Sequence, residues 1–205
     1  KLLISGHLDK ELPRYEFQKK RWSKVGKKNT ALAMQIEAIL QGLANASFLA
    51  FPAFIISSNP SQQISILEII GIVIWLASFI MESVADVQKL TYLRAMKKSG
   101  ASNMVCNIGL WKYSRHPNYF AEWMVWNALV IASIPSWLNL YPNMSVLIFV
   151  LVGVGLLLTS RIMYVTLVTY TGAIPSEYYS VQKRPTYKDY QHTTNMFFPG
   201  PTKQN

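Results

Sequence analysis

The densest run of side chains that could do chemistry is Gly109-Leu110-Trp111-Lys112-Tyr113-Ser114-Arg115-His116-Pro117-Asn118-Tyr119. Pro117 suits the first turn of a helix, where a missing N–H costs nothing and φ is already set. Ser114 or His116 then falls at the cap, and the free N–H groups and dipole of the helix start point toward the loop side. With Lys112 and Arg115 adjacent, such a place could hold phosphate or carboxylate. His116, Tyr119 and Glu122 recur at three-residue spacing and share a helical face. A lone interfacial histidine is more often solvated than catalytic. Here the density of Trp, Tyr, Arg, His and Asn argues for a site, although interfacial belts also collect Trp and Tyr.

A second cluster, Glu82-Ser83-Val84-Ala85-Asp86-Val87-Gln88-Lys89, puts Glu82, Asp86 and Lys89 on one helical face. It reads either as a helix end held by ion pairs or as the polar wall of a binding site, because ionisable groups at membrane depth face a cavity or one another. The third cluster is the tail, from Pro175-Ser176-Glu177-Tyr178-Tyr179 through Lys183-Arg184-Pro185-Thr186-Tyr187-Lys188-Asp189-Tyr190 to Phe197-Phe198-Pro199. Thr186 and Asp189 fit a capping pattern for a short helix beginning near Tyr187. Its tyrosines and cations could stack on a planar ring system and pair with phosphate, or could simply lie on lipid head groups. Arg161, a cation after a long apolar run, is expected to face a cavity rather than snorkel to the interface.

The elements that must position these residues are apolar helices. Of 205 residues 51% are hydrophobic and 15% charged, with positive mean hydropathy. Disordered, collagenous and repeat-array proteins are excluded by that composition. No charge falls from Ala38 to Leu67, from Ile69 to Met81, or from Trp123 to Ser160, a run of 38 residues. A span takes roughly 20 apolar residues, so helices are expected near 33–57, 64–84, 119–138 and 144–168. Turn clusters at Ser57-Ser58-Asn59-Pro60-Ser61 and Asn139-Leu140-Tyr141-Pro142-Asn143 join them in pairs and carry no charge. Nine of the 20 Lys/Arg lie in residues 1–30, six in 83–118 and four in 171–205. The positive-inside rule then places both termini and the 83–118 loop together on the cytoplasmic or matrix-like side.

The expectation is an all-α polytopic membrane protein of about four transmembrane helices: a basic juxtamembrane segment (1–30), a transmembrane domain (31–170) and a cytoplasm-facing helical tail (171–205). The basic segment, with Lys19-Lys20-Arg21 and Lys24-Val25-Gly26-Lys27-Lys28, reads as attracted to anionic membrane lipids. No recognised nucleic-acid module accompanies it, so no nucleic-acid partner is expected. The single cysteine, Cys106, excludes an intramolecular disulfide and a multi-cysteine zinc cluster, and no metal is expected.

Ala85-Asp86-Val87-Gln88-Lys89, the run from Gly109 to Trp123, and Lys183 to Tyr190 with Thr193-Thr194 and Phe198-Pro199 together resemble the steroid 5-alpha-reductase C-terminal family, closest to its DUF1295 branch. The resemblance runs in order from about Arg14 to Pro199. It implies a membrane reductase fold with NADPH in a cavity open to the cytoplasm, where hydride passes to the β carbon of an activated C=C bond of a steroid or related lipid enone. Carried onto this sequence, Lys89, Arg94, Trp111, Arg115, His116, Asn118 and Tyr119 would contact NADPH, with Arg161, Arg184, Tyr187 and Tyr190 as further candidates. The catalytic group is left open among Tyr119, His116 and Glu122. Two departures stand out: Leu93 takes a usually basic place, with Arg94 one later, and Ala121 replaces a common glycine before Glu122.

Relatives in that family generally carry further spans before the segment matching Arg14, which supply part of the substrate pocket and its acid. This sets a second reading beside the first, a non-catalytic accessory subunit of a larger membrane complex. A third is an isoprenylcysteine-type methyltransferase using S-adenosylmethionine, which shares an Arg-His-Pro-x-Tyr element; the Asp86-Val87-Gln88-Lys89 element favours the reductase. The membrane is expected to be that of the endoplasmic reticulum or the mitochondrial inner membrane.

Overall fold

The computed structural model describes residues 13–26, 29–61, 63–101 and 103–203, so residues 1–12, 27 and 28 of the basic segment lie outside it. The described residues form α1 (Pro13–Lys24), α2 (Thr30–Ala44), α3 (Phe51–Ser57), α4 (Ile66–Lys98), α5 (Pro117–Leu140), α6 (Val146–Val165), α7 (Ala173–Lys183) and α8 (Tyr187–Thr193). A π-helical turn, Asn45–Leu49, joins α2 to α3, and a second, Thr166–Tyr170, ends α6. No strand occurs among the described residues.

The helices α2, α4 and α6 each start where the sequence supplies a cap. Asn29 accepts from Leu32 N at the head of α2, Ser65 and Glu68 form a reciprocal capping box on α4, and Ser145 accepts from Ile148 N on α6. Three helical stretches, Thr30–Ser57, Ile66–Lys98 and Val146–Lys183, are long and apolar enough to cross a membrane. The all-α membrane architecture follows.

The remaining expected span, 119–138, is present as the 24-residue α5 but is not among these three. Its place explains its composition. α5 packs against α3, α4 and α6 at once, so it shows little surface to lipid and carries Glu122, Asn127, Ser133 and Ser136. α4 holds the second expected span, 64–84, and runs on to Lys98, so that Lys89 and Arg94 lie on its last turns.

Small residues make the central contact. Gly71, Ser78 and Ala85, each seven apart on α4, are buried against Ala121, Ala128 and Ala132 of the antiparallel α5. A Cβ on Gly71 would lie 2.7 Å from Ala132 Cβ and 2.8 Å from the Ala128 carbonyl, so the helices approach as closely as glycine allows. Indole N–H groups tie α5 to α6: Trp123 donates to the Ser160 carbonyl at 3.1 Å and Trp137 to that of Phe149 at 2.9 Å. At the far end Asn139 Nδ2 donates to Asn59 Oδ1, bringing the two uncharged turns side by side.

Candidate functional site

The opposite end is closed by a cap built from the 109–116 loop and the tail. Gly109–Lys112 makes one 3-10 turn, entered at Gly109 with φ +54°, where a Cβ would strike the Gln88 amide at 2.5 Å. Gln88 Oε1 accepts from Leu110 N, and Trp111 Nε1 donates to the Ala85 carbonyl at 2.8 Å, which fixes the loop to α4. The Lys89 ammonium stands 4.0 Å over the Trp111 ring, a cation–π contact.

As the sequence leads one to expect, Pro117 opens α5 and His116 is its cap residue, but the His116 side chain does not cap. Ser114 instead folds back, accepting from His116 N at 3.1 Å and donating to the Phe197 carbonyl at 2.8 Å. α8 begins at Tyr187 as expected, yet Thr186 makes no capping bond; Tyr190 OH donating to the Trp111 carbonyl holds that helix down.

Arg115 is the larger surprise. It does not stand free for a phosphate. Its Nε and Nη2 grip both oxygens of Glu177 at 2.7 and 3.1 Å, and its Nη1 donates to the Gln191 and Thr194 carbonyls. His116 Nε2 lies 3.0 Å from Glu177 Oε1, and Gln191 Nε2 donates to Oε2 at 2.6 Å. Burial drives the His116 pKa below its ordinary value, against the upward pull of the Glu177 contact, so the ring is neutral at physiological pH. Burial likewise raises the Cys106 thiol and the Tyr187 and Tyr190 hydroxyls. Sequence reasoning named Glu177 only as part of a run. Its standing as the one acidic residue in the 11-residue α7 was the available signal.

Two cavities meet here. A narrow cleft on the loop side, whose enclosed part is about 50 Å3, is lined by Lys89, Cys106, Trp111, Arg115, His116, Arg184, Tyr187 and Tyr190. It therefore brings together seven of the residues expected to hold a cofactor. The second cavity, about 720 Å3, sits among α2, α5 and α6 and is lined by Gln41, Asn45, Tyr119, Glu122, Trp126 and Thr166. Both π-helical turns border it, through Asn45 and Leu49 on one side and Thr166 and Leu167 on the other; such turns are frequent at functional sites. Between cleft and cavity His116 and Tyr119 stack, ring centroids 5.2 Å apart and planes 2° apart.

Asn118 leans outward from the same turn. Its Nδ2 donates to Asp86 at 3.1 Å while its Oδ1 is buried without a partner. Arg94 is exposed on α4 and borders neither cavity. Arg161 does not face a cavity as expected: it is exposed on α6, 5.7 Å from the Tyr164 ring centroid, because the inward positions of that turn are taken by Thr159 and Met163. No group of three or more acidic, histidine or cysteine side chains suited to a metal occurs among the described residues.

Searches of curated proteins and of solved structures returned no significant match. The model of one family, described as protein of unknown function (DUF1295), matches residues 6–194. Taking in α1 through α8, the cap and both cavities, that match makes the chain a member of the DUF1295 family.

Proposed function

We propose that this membrane protein is an NADPH-dependent reductase of an activated C=C bond in a steroid or related lipid enone, working in the endoplasmic reticulum or mitochondrial inner membrane. The observation that carries the reading is the meeting of two unlike cavities at one stacked pair of rings, His116 on the basic cleft and Tyr119 on the membrane-level cavity. A charged, water-soluble cofactor and an apolar substrate must approach each other from such opposite sides.

The residues present fit NADPH in charge and in stacking surface. Lys89 and Arg184 supply cations for phosphate, and Trp111, Tyr187 and Tyr190 supply ring faces. Arg115 would act through the cap it builds, since Glu177 already occupies its fork. When bound, the cofactor supplies hydride. The chain's own part is to hold the enone against Tyr119, to keep bulk water out of the cavity, and to offer a proton from Tyr119 or Glu122 at the cavity wall.

Detergent-solubilised protein should quench its tryptophan emission on titration with NADPH, with Lys89→Ala weakening binding and one of Tyr119→Phe and Glu122→Gln sparing binding while abolishing turnover of enone lipids. Absence of NADPH binding by folded protein would sink the reading. One observation favours a second: the enclosed cleft of about 50 Å3 holds no more than a few waters, so a protein that has kept the cap but not the catalysis is an accessory subunit of a membrane complex. That reading requires stable co-purification with other subunits and no turnover.

A further inference from the structure

The two oxygens of the Glu177 carboxylate are fully engaged. Oε1 accepts from Arg115 Nε at 2.7 Å and faces His116 Nε2 at 3.0 Å, while Oε2 accepts from Arg115 Nη2 at 3.1 Å and Gln191 Nε2 at 2.6 Å. Guanidinium and amide nitrogens only donate, so Oε2 has no room for a carboxyl proton; burial would raise the Glu177 pKa, but the hydrogen bonds of His116, Arg115 and Gln191 hold it at about 2, so Oε1 carries none either. His116 Nε2 must then carry the hydrogen, because the other tautomer would set a lone pair against a carboxylate at 3.0 Å. Glu177 stands on α7, 61 residues from His116, and both are buried.

We propose that Glu177 is a positioning residue that locks His116 as the Nε2–H tautomer, so that the ring meets a ligand in the cleft as an acceptor through Nδ1. The ligand group there must be a donor, a primary carboxamide N–H or a hydroxyl. A second consequence concerns the acid. The one proton on the neutral ring is held against Glu177 on the far side, so His116 does not protonate the substrate, and the proton comes from Tyr119 or Glu122. The charged and titratable groups around the ring are Glu177 of α7, Arg115 and Cys106 of the loop, Lys89 of α4, Tyr119 of α5, and Arg184, Tyr187 and Tyr190 of the tail. Only Glu177 favours an imidazolium, and its charge is shared with Arg115.

The identity of the donor rests on the reductase reading; the tautomer does not. The full chain carries three histidines, so nitrogen-15 histidine spectra of detergent-solubilised protein, assigned with His116→Gln, read the ring directly. The expected spectrum shows His116 protonated at Nε2 alone at neutral pH and above. An Nδ1–H ring, a tautomer mixture or an imidazolium near neutral pH in the unmutated protein would overturn the proposal. Glu177→Gln should mix the tautomers and weaken NADPH binding roughly tenfold; Glu177→Gln that leaves a single Nε2–H tautomer also overturns it. Should that variant fail to fold, the unmutated spectrum still decides. A locked tautomer in a protein that binds no NADPH leaves the lock standing and removes the reductase reading alone.

Discussion

The cap and the α2–α3 limb answer to different solvents. In the cap, Trp111, Ser114, Arg115, His116, Glu177 and Tyr190 are all buried, and each is hydrogen-bonded to a segment between 26 and 83 residues away. Along α2 no residue is buried, and Leu32, Ile36, Ile39, Leu40 and Leu43 lie open. The limb is pinned chiefly at its π-helical turn and α3, where Thr159 Oγ1 donates to the Phe48 carbonyl at 2.8 Å, Phe51 packs on Gly155, and Pro52 and Ile55 are buried. Polar groups taken out of water need partners, and the cap supplies them within the chain. Apolar side chains facing lipid cost nothing left as they are, so the limb needs few contacts beyond close packing. The lesson is that the cap is specified residue by residue, while the limb is specified mainly by composition.

Substitutions can break that comparison. Arg115→Ala, which leaves the Glu177 carboxylate buried and unpaired, should cost about 3–5 kcal/mol and release the tail to protease in detergent-solubilised protein; a loss below about 1 kcal/mol would mean that the cap is not specified as argued. Gly71→Leu forces side-chain volume into the α4–α5 contact and should cost about 1–3 kcal/mol, read as a lowered unfolding temperature, with bulk rather than polarity as the cause. Thr159→Val removes the hydrogen bond from Thr159 Oγ1 to the limb's π-helical turn and should cost about 1 kcal/mol, a test of how little the limb depends on polar ties.

The smallest effect sharpens the contrast through pH. His116 is held below its ordinary pKa by burial, so its contribution to stability is present above about pH 6.5, the unfolded value, and is lost as pH falls through the folded value. The cap should loosen first on mild acidification, seen as tail proteolysis while helix content persists, and His116→Gln should flatten that dependence. The effect is modest because the Glu177 contact works against burial.

Much of the fold was legible. Uncharged runs, turn clusters and the gathering of Lys and Arg predict the helices and their pairing, because bilayer thickness and backbone hydrogen bonding leave little choice. The packing was less so: α5 is the packed centre rather than another lipid-facing span, since hydropathy reports what lipid tolerates and not which helix neighbours exclude lipid. Within the site, Lys89, Trp111, Arg115, His116, Arg184, Tyr187 and Tyr190 do converge on one cleft. Arg161 does not, because a helical wheel within an apolar run carries no mark of which side is inward.

What the sequence by itself determined is the class of the molecule, its helices and the loop-and-tail pair that carries its polar chemistry, all consequences of short-range pattern and of solvent. Only the tertiary structure decided what those polar groups do to one another. Arg115 reads as a phosphate ligand until Glu177, 62 residues on, takes its fork, and the same carboxylate decides which nitrogen of His116 bears the proton. A hydrogen bond between distant residues leaves no periodicity behind it, so partners of this kind come to light only when the chain has folded.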